Sequence, residues 1–356
     1  MMTIRRVTLR RLRLPLMAPY RLSYRTFREF EPYLVELEAS DGRTAFGDGH
    51  VSPGSSSETR EGAWRFLSRH LKRWPGQELQ SAKSGVLAEF EQSKVAATAC
   101  VTAAEMLEGN ALLCIDDDLT LPLLTPVGGL EQNEIVEEVE QALQAGFRTL
   151  KIKVGRDVRA DLARVGLIQD VAAGRAQLRI DANRAYSREE ALAFATSIDP
   201  TDIELFEQPC DAEDWSANAA VARRSVVPLM LDEPICSLAD INRAADIPGV
   251  EFCKVKLKRF GGLDRLIESI NYIIECGMTP VLGDGLGSEI HSWMEACVAA
   301  HCIDNAGEFN GFLKPTKRVF ENPLPFGHGA IMLTKQYRPR LDRELLEQAT
   351  IECVSF

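Results

Sequence analysis

Residues Thr149 to Gly155 read TLKIKVG. In a strand, successive side chains take opposite faces, so Leu150, Ile152 and Val154 share one face while Lys151 and Lys153 share the other. The apolar face is suited to packing beneath a helix. The opposite face carries two ammonium groups two residues apart, and such a face is either wet or in use. Outward from this stretch, short β-rich apolar segments recur with amphipathic helical segments between them: LPLLTPVGG (121–129), LRIDAN (178–183), IELFEQP (203–209), PLMLDE (228–233), FCKVKL (252–257), TPVLGDG (279–285) and GEFNGF (307–312). They lie roughly 25 residues apart, the length of one strand and one helix, and about eight such units predict a closed parallel barrel. A doubly wound open sheet is the alternative, but no G-x-G-x-x-G follows the first strand.

Upstream of about residue 120 the pattern changes. A strand-like start leads into the turn-rich ASDGRTAFGDGHVSPGSSSET (39–59) and then into helical periodicity from about Arg60 to Leu112, which predicts an α+β unit over 1–120 and a barrel over 121–319. The first stretch, MMTIRRVTLRRLRLPL, has charges threaded through its apolar residues and reads as a strand rather than a signal peptide. No segment approaches the roughly 18 apolar residues of a membrane span. The net charge of −11, with no basic run, argues against nucleic acid or an anionic membrane as the main partner and leaves a small molecule as the expected one. The nine cysteines form no C-x-x-C pair, so reduced thiols and a cytoplasmic location are expected.

Ionisable residues sit at the C-terminal ends of successive predicted strands: Lys151 and Lys153, Asp181, Glu207, Asp232, Lys256, Asp284 and, on the last, Glu308. In a parallel barrel those ends converge on one mouth, so residues distant in sequence become neighbours. Any one of these charges alone is an ordinary loop residue; their recurrence at the same phase of consecutive units is not. Three carboxylates between two groups of lysines make a hard-oxygen site suited to Mg²⁺, with Mn²⁺ as a substitute. A divalent ion beside a substrate carboxylate favours loss of the neighbouring proton, because the resulting enediolate carries more negative charge than the ground state. Lysine is a poor base at its ordinary pKa of about 10.4, but desolvation, a second cation and a metal ion all favour the neutral amine. Lys153 is then the base, and Lys151 the group that lowers its pKa and binds the carboxylate.

The K-x-K of TLKIKVG, RIDANRAY around Asp181, LFEQP around Glu207, LMLDEP around Asp232 and KVKLKRFGG (254–262) together resemble the enolase superfamily and, within it, the muconate-lactonizing-enzyme-like subgroup. The resemblance spans most of the predicted barrel in order and spacing. It implies a modified (β/α)8-type (TIM-like) barrel with an N-terminal α+β capping domain, to which residues of about 320–356 return. It also implies metal ligands Asp181, Glu207 and Asp232, acid/base residues Lys153 and Lys256 on opposite faces of the substrate, and a homo-oligomer. Lys or His bases with magnesium and an ene-diolate are the general pattern of such sites. Alternation places Lys254, Lys256 and Lys258 on one face; the family spacing to Gly261-Gly262 selects Lys256. Lys254 is expected to be a buried partner for a carboxylate such as Glu233, and Asn183 and Glu233 to orient ligands or lysines.

A mandelate-racemase-like His at the seventh strand is replaced by Asp284, and His291 falls on a helical pattern. The Asp-x-Asp that dipeptide epimerases carry on the eighth strand is here Glu308-Phe309-Asn310. Asp284 and Glu308 suggest complements for an ammonium, hence an amino-acid-like carboxylate substrate. In relatives two loops of the N-terminal domain cover the mouth; the matching segments, 17–27 and 47–56, offer Tyr20, Tyr24 and His50 to the substrate's far end. The expected reaction is racemisation or epimerisation. A cycloisomerase or syn-dehydratase using one lysine, and a barrel that binds a metal or small acid without turnover, are the alternatives.

Overall fold

The computed structural model of the chain describes residues 2–21, 25–54, 56–283 and 285–356. It opens with strands β1 (Ile4–Leu12), β2 (Leu14–Arg21), β3 (Thr26–Phe30), β4 (Tyr33–Ala39) and β5 (Thr44–Gly49), followed by helices α1 (Arg60–Leu71), α2 (Leu79–Leu87) and α3 (Lys94–Glu108). After β6 (Leu119–Pro122), strand and helix alternate: β7 (Thr125–Val127), α4 (Gln132–Gln144), β8 (Thr149–Lys153), α5 (Val158–Ala172), β9 (Gln177–Asp181), α6 (Arg188–Ser197), β10 (Ile203–Glu207), α7 (Trp215–Ala222), β11 (Leu229–Leu231), α8 (Leu238–Ala245) and β12 (Val250–Val255). The short α9 (Leu257–Phe260), α10 (Leu263–Glu275), β13 (Thr279–Leu282) and α11 (Glu289–Cys302) complete this series; β14 (Phe326–Gly327), β15 (Ala330–Leu333), α12 (Arg343–Ala349) and β16 (Thr350–Ser355) end the chain.

Strands β7 to β13 form one parallel sheet in sequential order, with Lys153 opposite Asp181 and Asp181 opposite Glu207. The predicted eighth strand is reduced to a short segment. Gly307 bonds through its N–H to Pro122 and through its carbonyl to Leu124, while Glu308 N–H bonds to the Leu282 carbonyl at the end of β13. This segment bridges the two edges of the sheet and closes the ring. Gly307 and Gly283 meet that closure with little room: a Cβ on Gly283, whose φ is +107°, would lie 2.3 Å from Phe309 N.

Period-two alternation divides each barrel strand between two environments. Leu150 and Ile152 of β8 are fully buried in the main core with the surrounding helices. Leu205, Met230 and Val281, with Phe252 against them, form a separate apolar cluster, and Glu207, Asp232 and Lys254 lie two residues further along the same strand faces. The barrel interior thus has an apolar floor and a charged upper layer.

The antiparallel sheet runs β16-β1-β4-β5, so the last strand pairs with the first. Its two faces serve two cores: Tyr33, Val35 and Leu37 pack with α1 to α3, whereas Leu34 and Phe46 join the barrel core. The N-cap position of α10 is Gly262, which has no side chain to cap the helix. Glu105 of α3 does so from outside, accepting from Leu263 N at 2.7 Å and Asp264 N at 3.3 Å. No helix among the described residues is long and apolar enough to cross a membrane.

Candidate active site

The charged strand ends face a cavity of about 310 Å³. Lys151, Lys153, Asp181, Asn183, Glu207, Asp232, Glu233, Lys256 and Glu308 line it from the barrel, and Tyr20, Ser52, Ser56, Glu58 and Lys94 from the N-terminal layer. In the sheet, β9, β10 and β11 lie side by side and carry Asp181, Glu207 and Asp232 at or just past their ends. Strand β8 with Lys153 flanks them on one side and β12 with Lys256 on the other, four strands apart. In a ring of eight that separation places the two lysines across the mouth from each other.

Lys151 is 3% exposed, and its Nζ lies 2.8 Å from Asp181 Oδ2, 2.7 Å from Glu207 Oε2 and 2.8 Å from Glu308 Oε2. Burial opposes its charge, but Asp181, Glu207 and Glu308 outweigh burial and hold its pKa well above the ordinary value. Lys151 therefore pairs with those three carboxylates at the mouth, a set of partners that the K-x-K spacing does not reveal. Lys153 donates to Asn183 Oδ1 at 2.7 Å and to Asp181 Oδ2. Asn183 and Arg184 follow β9 with φ of +44° and +68°, a left-handed pair that lets Asn183 N bond back to Asp181 Oδ1 at 2.8 Å and brings its side chain to Lys153.

On the opposite side Lys256 Nζ donates to Asp232 Oδ2 at 2.9 Å, and Arg259 Nη2 stands 2.9 Å from Asp232 Oδ1. Burial would raise the Asp232 pKa, yet Arg259, Lys256 and Lys254 hold it well below the carboxylate range. Asp181 is also lowered, against burial, by Lys151 and Lys153. Glu207 is raised by burial and by the charge of Asp181. Glu233 is pushed up to about 7 by burial and by Asp232; Arg184 Nε lies 3.3 Å from its Oε1.

The donor set suits a divalent cation. Glu207 Oε2 and Asp232 Oδ1 are buried and accept no hydrogen bond, although ammonium and guanidinium nitrogens lie near them. Acceptor-only oxygens from three adjacent strands are what a hard ion takes. As now arranged, the described residues bring no three carboxylates close enough to share one ion. Lys151 stands between Asp181 and Glu207, and an ion shared by these two would displace its contact with at least one of them.

Several sequence expectations are corrected. His50 is 3% exposed and does not line the cavity; its ring lies 4.9 Å from Phe30 and 6.0 Å from Phe27, beneath the loop instead of on it. The partner of Lys254 is Glu308, not Glu233, because β12 aims its side chain across the lumen toward the closing segment. Glu308 is itself held by Lys151 and Lys254, so it is not an open complement for a substrate ammonium. Tyr20 lines the cavity with Lys314 Nζ 4.7 Å from its ring centre. Tyr24 and Asp284 lie outside the described residues. Sequence reasoning missed Arg259, which stands within the quoted KVKLKRFGG, and Gln208 of LFEQP, whose Oε1 accepts from Asp232 N at 2.9 Å. It also missed Glu58 and Lys94, for which no local pattern gives a signal.

Residues 134–339 match the family described as Enolase C-terminal domain-like. Among curated relatives, the L-Lys-D/L-Arg epimerase of Methylococcus capsulatus is 26% identical over 318 residues, 83% of this chain and 88% of that protein. The crystal structure of the N-succinyl Arg/Lys racemase from Bacillus cereus superposes with a TM-score of 0.90 at 21% identity, covering 99% of this chain and 100% of that one. That of a dipeptide epimerase from Cytophaga hutchinsonii, complexed with Mg and D-Ala-L-Val, superposes with a TM-score of 0.87 at 19% identity, covering 99% of each chain.

Proposed function

The chain belongs to the Enolase C-terminal domain-like family, and on that footing we propose that it is a Mg²⁺-dependent racemase or epimerase of an amino-acid-like acid, of the muconate-lactonizing-enzyme-like subgroup of the enolase superfamily. The observation that carries the reading is the placement of Lys153 and Lys256 four strands apart, with the Asp181, Glu207 and Asp232 strands between them. A lysine on each side of a planar carbon centre removes a proton from one face and returns one to the other, which inverts the centre.

Asp181, Glu207 and Asp232 would hold Mg²⁺, with Mn²⁺ as a substitute. When bound, the ion supplies positive charge against the negative charge that develops on the substrate carboxylate as its α-proton leaves. Asn183 and Asp181 hold the Lys153 amine at the mouth, and Asp232 holds Lys256. Arg259 and the Gln208 side chain fix Asp232 in place. Buried Lys151 adds a permanent positive charge beside the substrate carboxylate, available to both directions of the reaction. A cavity of about 310 Å³ is at the small end for ligand sites and suits a single acyl amino acid or dipeptide. Tyr20, Ser52 and Ser56 close it from the N-terminal side, consistent with a capping unit over 1–120 and 320–356 and a barrel over 121–319. Nine free thiols accord with a reducing, cytoplasmic location.

The test is α-proton exchange in heavy water, followed by NMR on both enantiomers of a panel of free and N-acylated amino acids and dipeptides. Exchange with inversion is the expected result. A product of different mass, or conversion without α-exchange, would replace this reading with a one-lysine cyclisation or elimination.

A further inference from the structure

With the substrate carboxylate toward Asp181, Glu207 and Asp232, its nitrogen arm must meet another part of the wall. Among the described residues, three lining carboxylates lie outside that ligand set: Glu308, Glu233 and Glu58. Each already has its own donors. Glu58 accepts from Ser93 Oγ at 2.7 Å and Val95 N at 3.3 Å. Glu233 has Arg184 on Oε1, and its Oε2 is buried. Glu308, the one closest to the lysine pair of β8, receives Lys151 at 2.8 Å and Lys254 on the same oxygen, Oε2.

Lys254 decides the charge at this point. Lys151 is shared among three carboxylates and leaves Glu308 only partly compensated. Lys254 is 1% exposed, does not line the cavity and has Glu308 as its ion-pair partner. It therefore places a second full positive charge behind Glu308, out of substrate's reach. The wall as a whole leans the same way, with seven cationic side chains and six carboxylates among the described lining residues. An ammonium on the nitrogen arm would approach a carboxylate that already carries two ammonium partners, and it would gain little from Glu308 while meeting the repulsion of both.

We propose that Lys254 sets the substrate class of the site: by neutralising Glu308 from behind, it rejects an ammonium on the nitrogen arm and selects α-N-acyl acids whose acyl arm is neutral or anionic. This rests on the racemase reading above. Lys254 acts through Glu308 and touches no substrate, so it is a positioning and specificity residue and not part of the proton transfer.

The test uses three acyl groups on the same amino acid, with L-leucine, L-lysine and L-glutamate as carriers: L-alanyl, propionyl and succinyl. Alanyl and propionyl differ only in the ammonium group. For the Mg²⁺-loaded wild type, kcat/KM for α-exchange should favour propionyl over alanyl by at least about tenfold, mainly through KM, with succinyl at least as good as propionyl. Lys254→Met should narrow the propionyl-to-alanyl ratio by about tenfold, and Lys254→Arg should keep it. A wild type that handles the alanyl compounds as well as the propionyl ones overturns the proposal, as does a folded Lys254→Met with an unchanged ratio; the wild-type ratio decides if that variant does not fold. Should none of the compounds exchange, the racemase reading fails, and calorimetric binding of the same acids still tests Lys254: propionyl binding tighter than alanyl only when Lys254 is present supports it, equal affinities overturn it, and binding of none overturns both.

Discussion

Glu105 ties α3 to the start of α10 through a single carboxylate, and its removal should be costly in a way that depends on pH. It sits on α3, 2% exposed, and its side chain accepts from the first two N–H groups of α10, whose N-cap position is Gly262. Glu105→Ala orphans the buried Leu263 N–H at about 1–3 kcal/mol and the part-buried Asp264 N–H at less than that, so a loss of roughly 2–4 kcal/mol is expected. Burial, assisted by nearby Asp264, raises the Glu105 pKa from 4.5 to about 7, and the two N–H bonds only partly offset it. A carboxyl whose folded pKa is raised binds its proton more tightly in the folded chain. Its contribution is therefore fully present below 4.5, falls as pH rises toward about 7, and is lost above that; at about 1.36 kcal/mol per pH unit the whole window is worth roughly 3 kcal/mol. Urea unfolding of wild type and Glu105→Gln at pH 4.5 and pH 8 reads this directly, since the glutamine cannot titrate. The wild type should lose roughly 2–4 kcal/mol more than the variant between those two pH values. Equal losses in both proteins would refute the burial argument, and a fall of less than about 1 kcal/mol in Glu105→Ala would refute the capping argument.

Lys153→Ala and Lys256→Ala should each slow α-proton exchange by about 10²–10⁴ from one enantiomer while sparing wash-out from the other, in mirror fashion; NMR exchange on both enantiomers checks this, and equal loss from both would contradict the two-faced arrangement. Lys151→Met should impair both directions alike, because its charge serves both. Mg²⁺ at a hundred times its dissociation constant should add about 2.7 kcal/mol to stability, seen as a rise in melting temperature that Asp232→Ala abolishes. Gly283→Ala forces a Cβ to 2.3 Å from Phe309 N at a φ of +107° and should destabilise by more than about 2 kcal/mol in chemical denaturation, by opening the barrel closure.

The recurrence of Lys151, Lys153, Asp181, Glu207, Asp232 and Lys256 at strand ends was legible from sequence because it depends only on local periodicity and on the rule that parallel strands share one mouth. The apolar alternates Leu150 and Ile152 likewise announced which face would meet the helices. The pairings made across the lumen were not legible. Lys254 meets Glu308 rather than Glu233, Arg259 braces Asp232, Lys151 gathers three carboxylates, and Glu105 caps a helix more than 150 residues away in the chain. Each depends on which strand lies opposite which in a closed ring, and no local pattern records that. His50 was misread for the same reason: a histidine in a turn-rich stretch reads as surface, and only the packing of Phe27 and Phe30 beneath it draws the ring inward. The sequence alone thus determined the charged faces and their order. The tertiary structure decided which charges neutralise one another, because burial makes an ammonium choose the nearest carboxylate in space, whatever its distance along the chain.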